Sequence, residues 1–349
     1  MSRFFVIGDI HIRMKYIAEI SKTLEKILDI TQLREKDYDF IVILGDIYDR
    51  HERLSISELM TFDNFIKKLM KITEKDIFIL IGNHDRPKNT CFMTDEHALN
   101  PYKSYEHIKI IDHTIESGKY LFVPYVPVGR FADAIDDFVD KLSDYRCIFT
   151  HQEFKDVSLG KIKSKRGDQI SPWLKVINGH IHNYERLGNI ICVGSVHQIS
   201  FNEDKLKTVS IFHFDVDGED LIEERIECNP VKNVEIHLDS NDLISFNIYE
   251  LLQGNENRFK LIVDSERKEV SHMLEECKNN PRIKIQFSSK NIGNKNMHKK
   301  DGKRKTYIDY LSELLQNKLE IRDIFENIFG LLPPIIDNES YITDFEFID

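Results

Sequence analysis

The chain has 349 residues, 41% of them hydrophobic, and a formal net charge of −11 at pH 7. That length and apolar share allow one large domain plus a smaller one and exclude global disorder. No apolar run reaches the ~18–20 residues of a membrane span, and the acidic balance excludes a global basic field for nucleic acid while leaving room for a local basic groove.

In chain order, residues 1–8 read as a first strand and are too short and too quickly acidic for a secretory signal. Residues 4–7, 40–44, 77–81, 147–150, 176–178 and 190–193 are short apolar runs, mostly β-branched or aromatic. Each is followed by Gly, Asp, Asn or His, which predicts strands. Residues 16–33 (Ile17, Ile20, Leu24, Ile27, Leu28) and 55–72 (Leu59, Phe62, Phe65, Ile66, Leu69) have helical spacing. Buried strands alternating with helices predict a layered α/β domain over residues 1–228, with a mixed sheet covered on both faces. Residues 208–215 and 221–228 predict a closing hairpin around Asp217-Gly218. The Asn229-Pro230 step marks a boundary. Beyond it, strands at 234–238, 260–263 and 283–287 and a helix at 266–277 predict a small α/β domain over residues 229–288.

Residues 289–305 are rich in Ser, Asn, Gly and Lys and carry the densest basic run (Lys295, His298, Lys299, Lys300, Lys303, Arg304, Lys305), which predicts a flexible linker. Residues 306–330 return to a helical stripe of Tyr307, Ile308, Leu311, Leu314, Leu315, Ile324 and Ile328. Residues 331–349 form an acidic tail. The five cysteines (Cys91, Cys147, Cys192, Cys228, Cys277) are widely spaced with no C-x-x-C, which fits reduced thiols and an intracellular location, cytoplasm or nucleus.

Seven metal-type ligand residues stand at the polar ends of the predicted strands. Asp9 and His11 (G-D-I-H) are two apart, so both can face one side. Asp46 (G-D-I-Y-D) is a carboxylate able to bridge two ions, and Gly45 lets the backbone pass close to a metal. Asn83 (G-N-H-D) offers an amide oxygen, His151 stands in F-T-H-Q, and His180 and His182 form G-H-I-H. Hard or borderline divalent metals take this donor set, and open α/β sheets place ligands at strand ends. A lone D-x-H is common and G-D-x-x-D is often a simple turn; five such motifs, each after a predicted strand, point to two metals.

These motifs, in this order, resemble the calcineurin-like metallophosphoesterases, whose pattern is D-x-H, G-D-x-x-D, G-N-H-[DE], a lone His and G-H-x-H. The resemblance implies an αββα sandwich with a small α/β capping domain and a C-terminal helical tail. It implies one ion on Asp9, His11, Asp46 and His182 and another on Asp46, Asn83, His151 and His180. The cofactors expected are two divalent ions, in the first place Mn2+. The implied reaction is attack of a metal-activated hydroxide on phosphorus, with His84 as the proton donor to the leaving oxygen. The resemblance points to Asp49 as the acidic partner of His84, with Asp85 the local rival. Arg50 is read either as a phosphate clamp or as a surface ion pair.

The stretch I-I-C-V-G-S-V-H-Q-I-S-F-N-E-D (residues 190–204) is similar to V-G-S-P…S-F-x-E of the SbcD-type DNA double-strand-break repair nucleases, with Val196 where proline is expected. Residues 82–102 and 151–179 resemble the phage recombination nucleases of that group, so the form implied is phage- or viral-like. The first motif departs from the group's D-x-H-L-G, since Ile12-Arg13 follow His11. The resemblance implies a DNA nuclease, a 3′–5′ exonuclease on duplex ends and an endonuclease on single strands. Its implied partners are DNA, an SMC-like coiled-coil ATPase docked by the helix at 306–330, and a second copy in a homodimer, with no membrane. Lys155, Lys161, Lys163, Lys165 and Arg166, between His151 and His180, are the first candidates for phosphate-backbone contacts, and the run at 295–305 the second. The alternative is a stand-alone metallophosphoesterase, a phosphatase or nucleotide phosphodiesterase. The complete ligand set speaks against a further alternative, a scaffold with a degenerate site.

Overall fold

Alternate residues of the first strand point into two different cores. β1 (Arg3–Ile7) turns Phe4 and Val6 to one side and Phe5 and Ile7 to the other, and all four are buried. β2 (Phe40–Ile43) and β3 (Ile77–Leu80) divide in the same way: Phe40, Val42, Phe78 and Leu80 join Phe4, while Ile41, Ile43, Ile77 and Ile79 join Phe5. A strand covered on both faces is apolar at every position, which is why these runs carry no polar alternation. The isoleucine side packs on α1 (Ile17–Leu33) and α2 (Ile56–Ile72). Ser55 and Glu58 cap α2 reciprocally, each side chain accepting from the other's backbone N–H.

The computed structural model describes residues 2–287 except 219, 240–241, 243–245, 255, 265–276, 278–279 and 281. The expected linker at 289–305, helix at 306–330 and tail at 331–349 lie outside the described residues, as does nearly all of the expected helix at 266–277.

The aromatic side of β1–β3 packs on a second sheet. The first sheet has six strands in the order β14-β13-β1-β2-β3-β4, adding β4 (Ile108–Ile111), β13 (Thr208–Phe214) and β14 (Leu221–Glu227). The second, also six-stranded, has the order β11-β12-β10-β7-β6-β5. Its strands are β5 (Ile115–Ser117), β6 (Tyr120–Val123), β7 (Cys147–Thr150), β10 (Val176–Asn178), β11 (Glu185–Leu187) and β12 (Ile190–Cys192). Between β7 and β10 lies a small hairpin, β8 (Ser158–Leu159) and β9 (Ile162–Lys163). The strands flanking the ligand residues run parallel: β1–β4 in one sheet, β6, β7, β10 and β12 in the other.

The single mixed sheet expected from strand–helix alternation is therefore two sheets face to face, as the family resemblance implied. The difference arises at Asp112–Thr114, where the chain leaves β4 and enters β5 of the other sheet. The inter-sheet layer is largely aromatic. The Phe149 ring centroid lies 5.1 Å from Phe4 and 5.0 Å from Phe122, and Phe78 stacks on Phe122 at 4.2 Å. The outer face of the second sheet is covered by α3 (Phe131–Ala134) and the turns after it, with Phe154, Val157 and Leu174.

The strands expected after residue 229 are present as a parallel three-stranded sheet, β15 (Asn233–Asp239), β16 (Arg258–Asp264) and β17 (Ile283–Phe287), with α4 (Ile248–Leu252). It has its own small core of Leu238, Ile248, Phe259, Leu261, Val263 and Cys277. It joins the sandwich through Gln198, whose side-chain oxygen accepts from Asn233 N (2.7 Å) and whose carbonyl accepts from Arg258 Nη2 (2.7 Å). Among the described residues no helix is long and apolar enough to cross a membrane.

Two outcomes follow from this packing. Phe149→Ala removes the ring central to the inter-sheet layer and is expected to cost about 3–5 kcal/mol in urea unfolding. Asp112, after β4, is opposed as a carboxylate by burial but held well below the usual carboxyl range by His97 (3.1 Å), Lys103 and His113 (3.1 Å). A carboxyl depressed by folding contributes stability that is present at neutral pH and lost on acidification below its unfolded pKa of about 3.9. Asp112→Asn should therefore be less stable than wild type at pH 7, and the gap should narrow below about pH 4. A gap of the same size at pH 3 would show that the ion pairs contribute nothing through charge.

Candidate metal centre

The seven ligand candidates come from five strand ends, three in one sheet and two in the other, and the fold brings them all together. Asp46 Oδ2 lies 3.4 Å from His11 Nε2 and 3.3 Å from His151 Nε2. Asn83 Oδ1 lies 3.0 Å from His151 Nε2 and 2.9 Å from His180 Nδ1. The rings of His11 and His182 are 4.9 Å apart. Potential ligand atoms fall into the groups Asp9–His11–His182, Asp46–His151–His180 and His11–Asp46–His84, with the atoms of each group within 4.8 Å of one another. Asp46 stands next to both halves of the site.

This convergence needs a strained backbone. His11 (φ +47°), Asp46 (φ +47°) and His180 (φ +67°) sit in the left-handed region that non-glycine residues avoid, at a cost of about 1–3 kcal/mol each. Hydrogen bonds hold them there. The Asp46 carbonyl accepts from Ile10 N (3.1 Å) and His11 N (2.9 Å), and Asp9 Oδ1 accepts from His180 N (3.2 Å). Two glycines leave room that a side chain would take. A Cβ on Gly82 would stand 2.2 Å from Asp46 Oδ1, and one on Gly179 would stand 2.7 Å from Asp9 Oδ1 and 2.8 Å from His151 Nδ1.

The residues fit two divalent cations. Asp9 Oδ2 and His11 Nε2 are buried without a hydrogen-bond partner, each a deficit of about 1–3 kcal/mol that a bound cation removes. The donors are carboxylate, amide and imidazole with no thiolate, the set preferred by manganese, iron and zinc. The second ring nitrogens are fixed from behind, as in metal-ligating histidines. His151 Nδ1 donates to the Leu44 carbonyl (2.8 Å), His182 Nδ1 faces Glu203 Oε1 (3.3 Å) and His11 Nδ1 faces Asp49 Oδ1 (3.4 Å).

Burial opposes charge on all these groups, and their mutual fields decide which carry it. Against that penalty, His151 and His11 hold the Asp46 carboxyl well below its usual range. Asp46 and Asp9 in turn raise His151 to about 9. His180, desolvated beside His151, falls to about 3. Glu203 is depressed by His182 and Lys207 despite its burial.

His84 is in place: its backbone N–H donates to Asp46 Oδ1 (2.8 Å), and its ring Nδ1 lies 2.9 Å from the Asp49 carbonyl oxygen. The expected carboxylate partner of His84 is corrected here. Asp49 holds His84 through its main chain, and its side chain turns to His11 and to Arg13 (3.9 Å). The cause is pairing between the first two metal loops: Ile12 N bonds Ile47 O (2.8 Å) and Asp49 N bonds Ile12 O (3.2 Å), which sets Asp49 beside His11. The rival Asp85 is engaged elsewhere, accepting from the backbone of Ile47 (2.8 Å), Tyr48 (3.1 Å) and Gly82 (3.0 Å). Arg50 is exposed and forms no ion pair or hydrogen bond among the described residues, so the surface-pair reading does not hold.

Residues 153–168 form a closed β-ribbon beside the site: Lys155 N bonds Asp168 O (2.9 Å), Asp156 N bonds Ser164 O (2.8 Å), and β8 pairs with β9. It carries Lys155, Lys161, Lys163, Lys165 and Arg166, all exposed. Lys163 is the correction: its ammonium is taken by Glu185 and by Ser158 Oγ (2.7 Å), so it is not free for a phosphate. Lys155, Lys161, Lys165 and Arg166 make no side-chain ion pair among the described residues.

Sequence reasoning missed Glu203, Lys207 and Asn178. Glu203 was visible only as part of S-F-N-E. Asn178, fully buried, bonds both the N–H (2.8 Å) and the carbonyl (2.9 Å) of Gln152, tying the His151 loop to the His180 loop; no local pattern marks such a contact. Gly179→Ala is expected to abolish tight manganese binding while circular dichroism stays native. Retention of two bound ions per chain, by equilibrium dialysis, would contradict the close approach seen here.

A family model described as calcineurin-like phosphoesterase matches residues 2–218. The chain is 38% identical over 212 residues to "Putative phosphoesterase 078R" of Invertebrate iridescent virus 3, covering 58% of this chain and 60% of that protein. It is 37% identical over 210 residues to "Putative phosphoesterase 244L" of Invertebrate iridescent virus 6, covering 58% of this chain and 73% of that one. The chain thus spans under two thirds of the first relative's length. A solved purple acid phosphatase from yellow lupin aligns with TM-score 0.43 and 13% identity, over 66% of this chain and 52% of that one. With the family match running through all five ligand-bearing motifs, the chain belongs to the calcineurin-like phosphoesterases, a family that uses divalent metals to hydrolyse phosphoesters.

Proposed function

We propose that the chain is a two-metal DNA nuclease of the SbcD-type repair and recombination group, with manganese as the working metal. The observation that carries this reading is the basic ribbon at residues 153–168, which stands beside the metal cleft in a chain of net charge −11. A cation cluster placed there is the electrostatic footprint of a phosphate backbone. Lys155, Lys161, Lys165 and Arg166 are its free cations, and Arg50 is a further one next to Asp49. The remaining expectations are part of the same proposal: an SMC-like ATPase bound through residues 306–330, a homodimer, and an intracellular setting.

When bound, the two cations supply an acidified water and positive charge for the phosphate oxygens. The chain's own residues do the rest. His84 Nδ1 is engaged by the Asp49 carbonyl (2.9 Å), so Nε2 is the nitrogen left to hand a proton to the leaving oxygen. His51 stacks on the His84 ring at 4.9 Å and 10°, and fixes its plane. Arg50, exposed outside the cleft lining, can neutralise a phosphate at its rim. The alternative, a stand-alone phosphatase or nucleotide phosphodiesterase, is equally consistent with the names of the viral relatives, which say phosphoesterase and no more.

With manganese and linear duplex DNA the chain should release nucleotides, and a phosphomonoester turned over while DNA stays intact would overturn the nuclease reading. His84→Ala should lower kcat about 10²–10⁴-fold while both ions stay bound. Changing Lys161, Lys165 and Arg166 together to Ala should weaken duplex binding at every sequence. The slope of log affinity against log salt should flatten by about one for each phosphate that these cations neutralise. An unchanged salt slope would remove the ribbon from the DNA interface.

A further inference from the structure

The tip of the ribbon is also a wall of the cleft. Ser158, Leu159 and Gly160 line it together with Asp46, Asn83, His84, His180 and His182, around a volume of about 360 Å³. The wall is built to stay in place. Glu185 on β11 accepts from Ser158 N (2.7 Å), from Ser158 Oγ (2.9 Å) and from Lys163. At the ribbon's base Phe154 and Val157 are fully buried, and Gly167 passes so close that a Cβ there would stand 2.3 Å from the Phe154 backbone.

The chemistry of the lining is selective. Asn183, Ser200 and Asn202 line the same cleft as Leu159. Glu203 also lines it, with its charge answered by Lys207 (3.0 Å). No Lys or Arg lines the cleft among the described residues; the ribbon's free cations lie beyond it. A cavity of this size is on the scale of sites that hold a small organic group. Away from the metal ligands and His84, the lining offers a second phosphate no cationic side chain.

From this we infer that the cleft seats one neutral nucleoside unit, esterified to the reacting phosphate, with Leu159 against its apolar face and the amides and hydroxyls on its polar edges. If the substrate is a strand, its further phosphates fall outside, on Lys161 and its neighbours. The Glu185-pinned hairpin is thus the specificity element. The inference rests on the phosphoester-hydrolysing reading of the site and not on the nuclease assignment.

The test compares two diesters with the same leaving group: thymidine monophosphate p-nitrophenyl ester and methyl p-nitrophenyl phosphate. On the manganese-loaded chain, kcat/KM should favour the thymidine ester by about tenfold or more. Leu159→Gly and, separately, Glu185→Gln should bring that ratio toward one. Equal rates in the wild type, or variants that lower both esters in proportion, would overturn the inference. If neither ester is turned over, calorimetry decides: thymidine monophosphate should bind more tightly than inorganic phosphate, and equal affinities refute it. Linear DNA separates the two readings. DNA left intact while the thymidine preference holds sinks the nuclease reading alone; DNA cut without that preference sinks this inference alone.

Discussion

Everything at the centre hangs on Asp46. One carboxylate oxygen accepts from His84 N, and the other stands within 3.4 Å of His11 and His151. Its carbonyl accepts from Ile10 and His11. A single residue therefore ties the ends of β1, β2 and β3 to β7 of the opposite sheet. Held with φ at +47°, it also stores strain that the surrounding bonds must offset. A fully buried carboxylate is tolerated only where positive charge or hydrogen-bond donors surround it. Here protonated His151 or a bound cation can play that part, which couples the occupancy of the site to the integrity of the loops.

The sandwich makes such a residue possible. Its aromatic middle layer fixes the separation of the two sheets, and close-packed interiors transmit misplacement rather than absorb it. The strand ends of both sheets open at one edge, so ligands far apart in the chain meet without long loops. The ligand geometry is thus as firm as the packing of Phe4, Phe78, Phe122 and Phe149 beneath it.

Around that rigid centre, two peripheral elements are wired in. The loop at residues 198–203 is held by Asn233 and Arg258 of the third sheet on one side, and through Glu203 it holds His182 on the other. The ribbon at 153–168 concentrates positive charge that the whole chain lacks. Its cations differ in availability, and the difference is a matter of neighbours: Glu185 takes Lys163, while Lys161, two positions away, makes no ion pair among the described residues.

Much of this was legible in the sequence, and the rest could not have been. The mainly apolar runs at 4–7, 40–44, 77–81, 147–150 and 176–178, each followed at once or after one glycine by a ligand type, determined the central strands, their burial on both faces and the identity of the seven ligand candidates. The helical stripes at 16–33 and 55–72 determined the covering layer. Those are local properties, written in period and in the residue that stops each run. The strands β4–β6 were not read from the sequence, although residues 120–123 form an apolar run as unbroken as the others, so the second sheet was reached only through resemblance. Which way Asp49 faces, which lysine is already paired, that Asn178 clamps Gln152 and that Ser158–Gly160 wall the cleft were decided only by tertiary structure. Each of these depends on what stands opposite a side chain across a gap of ångströms, and residues that meet there are tens of positions apart in the chain.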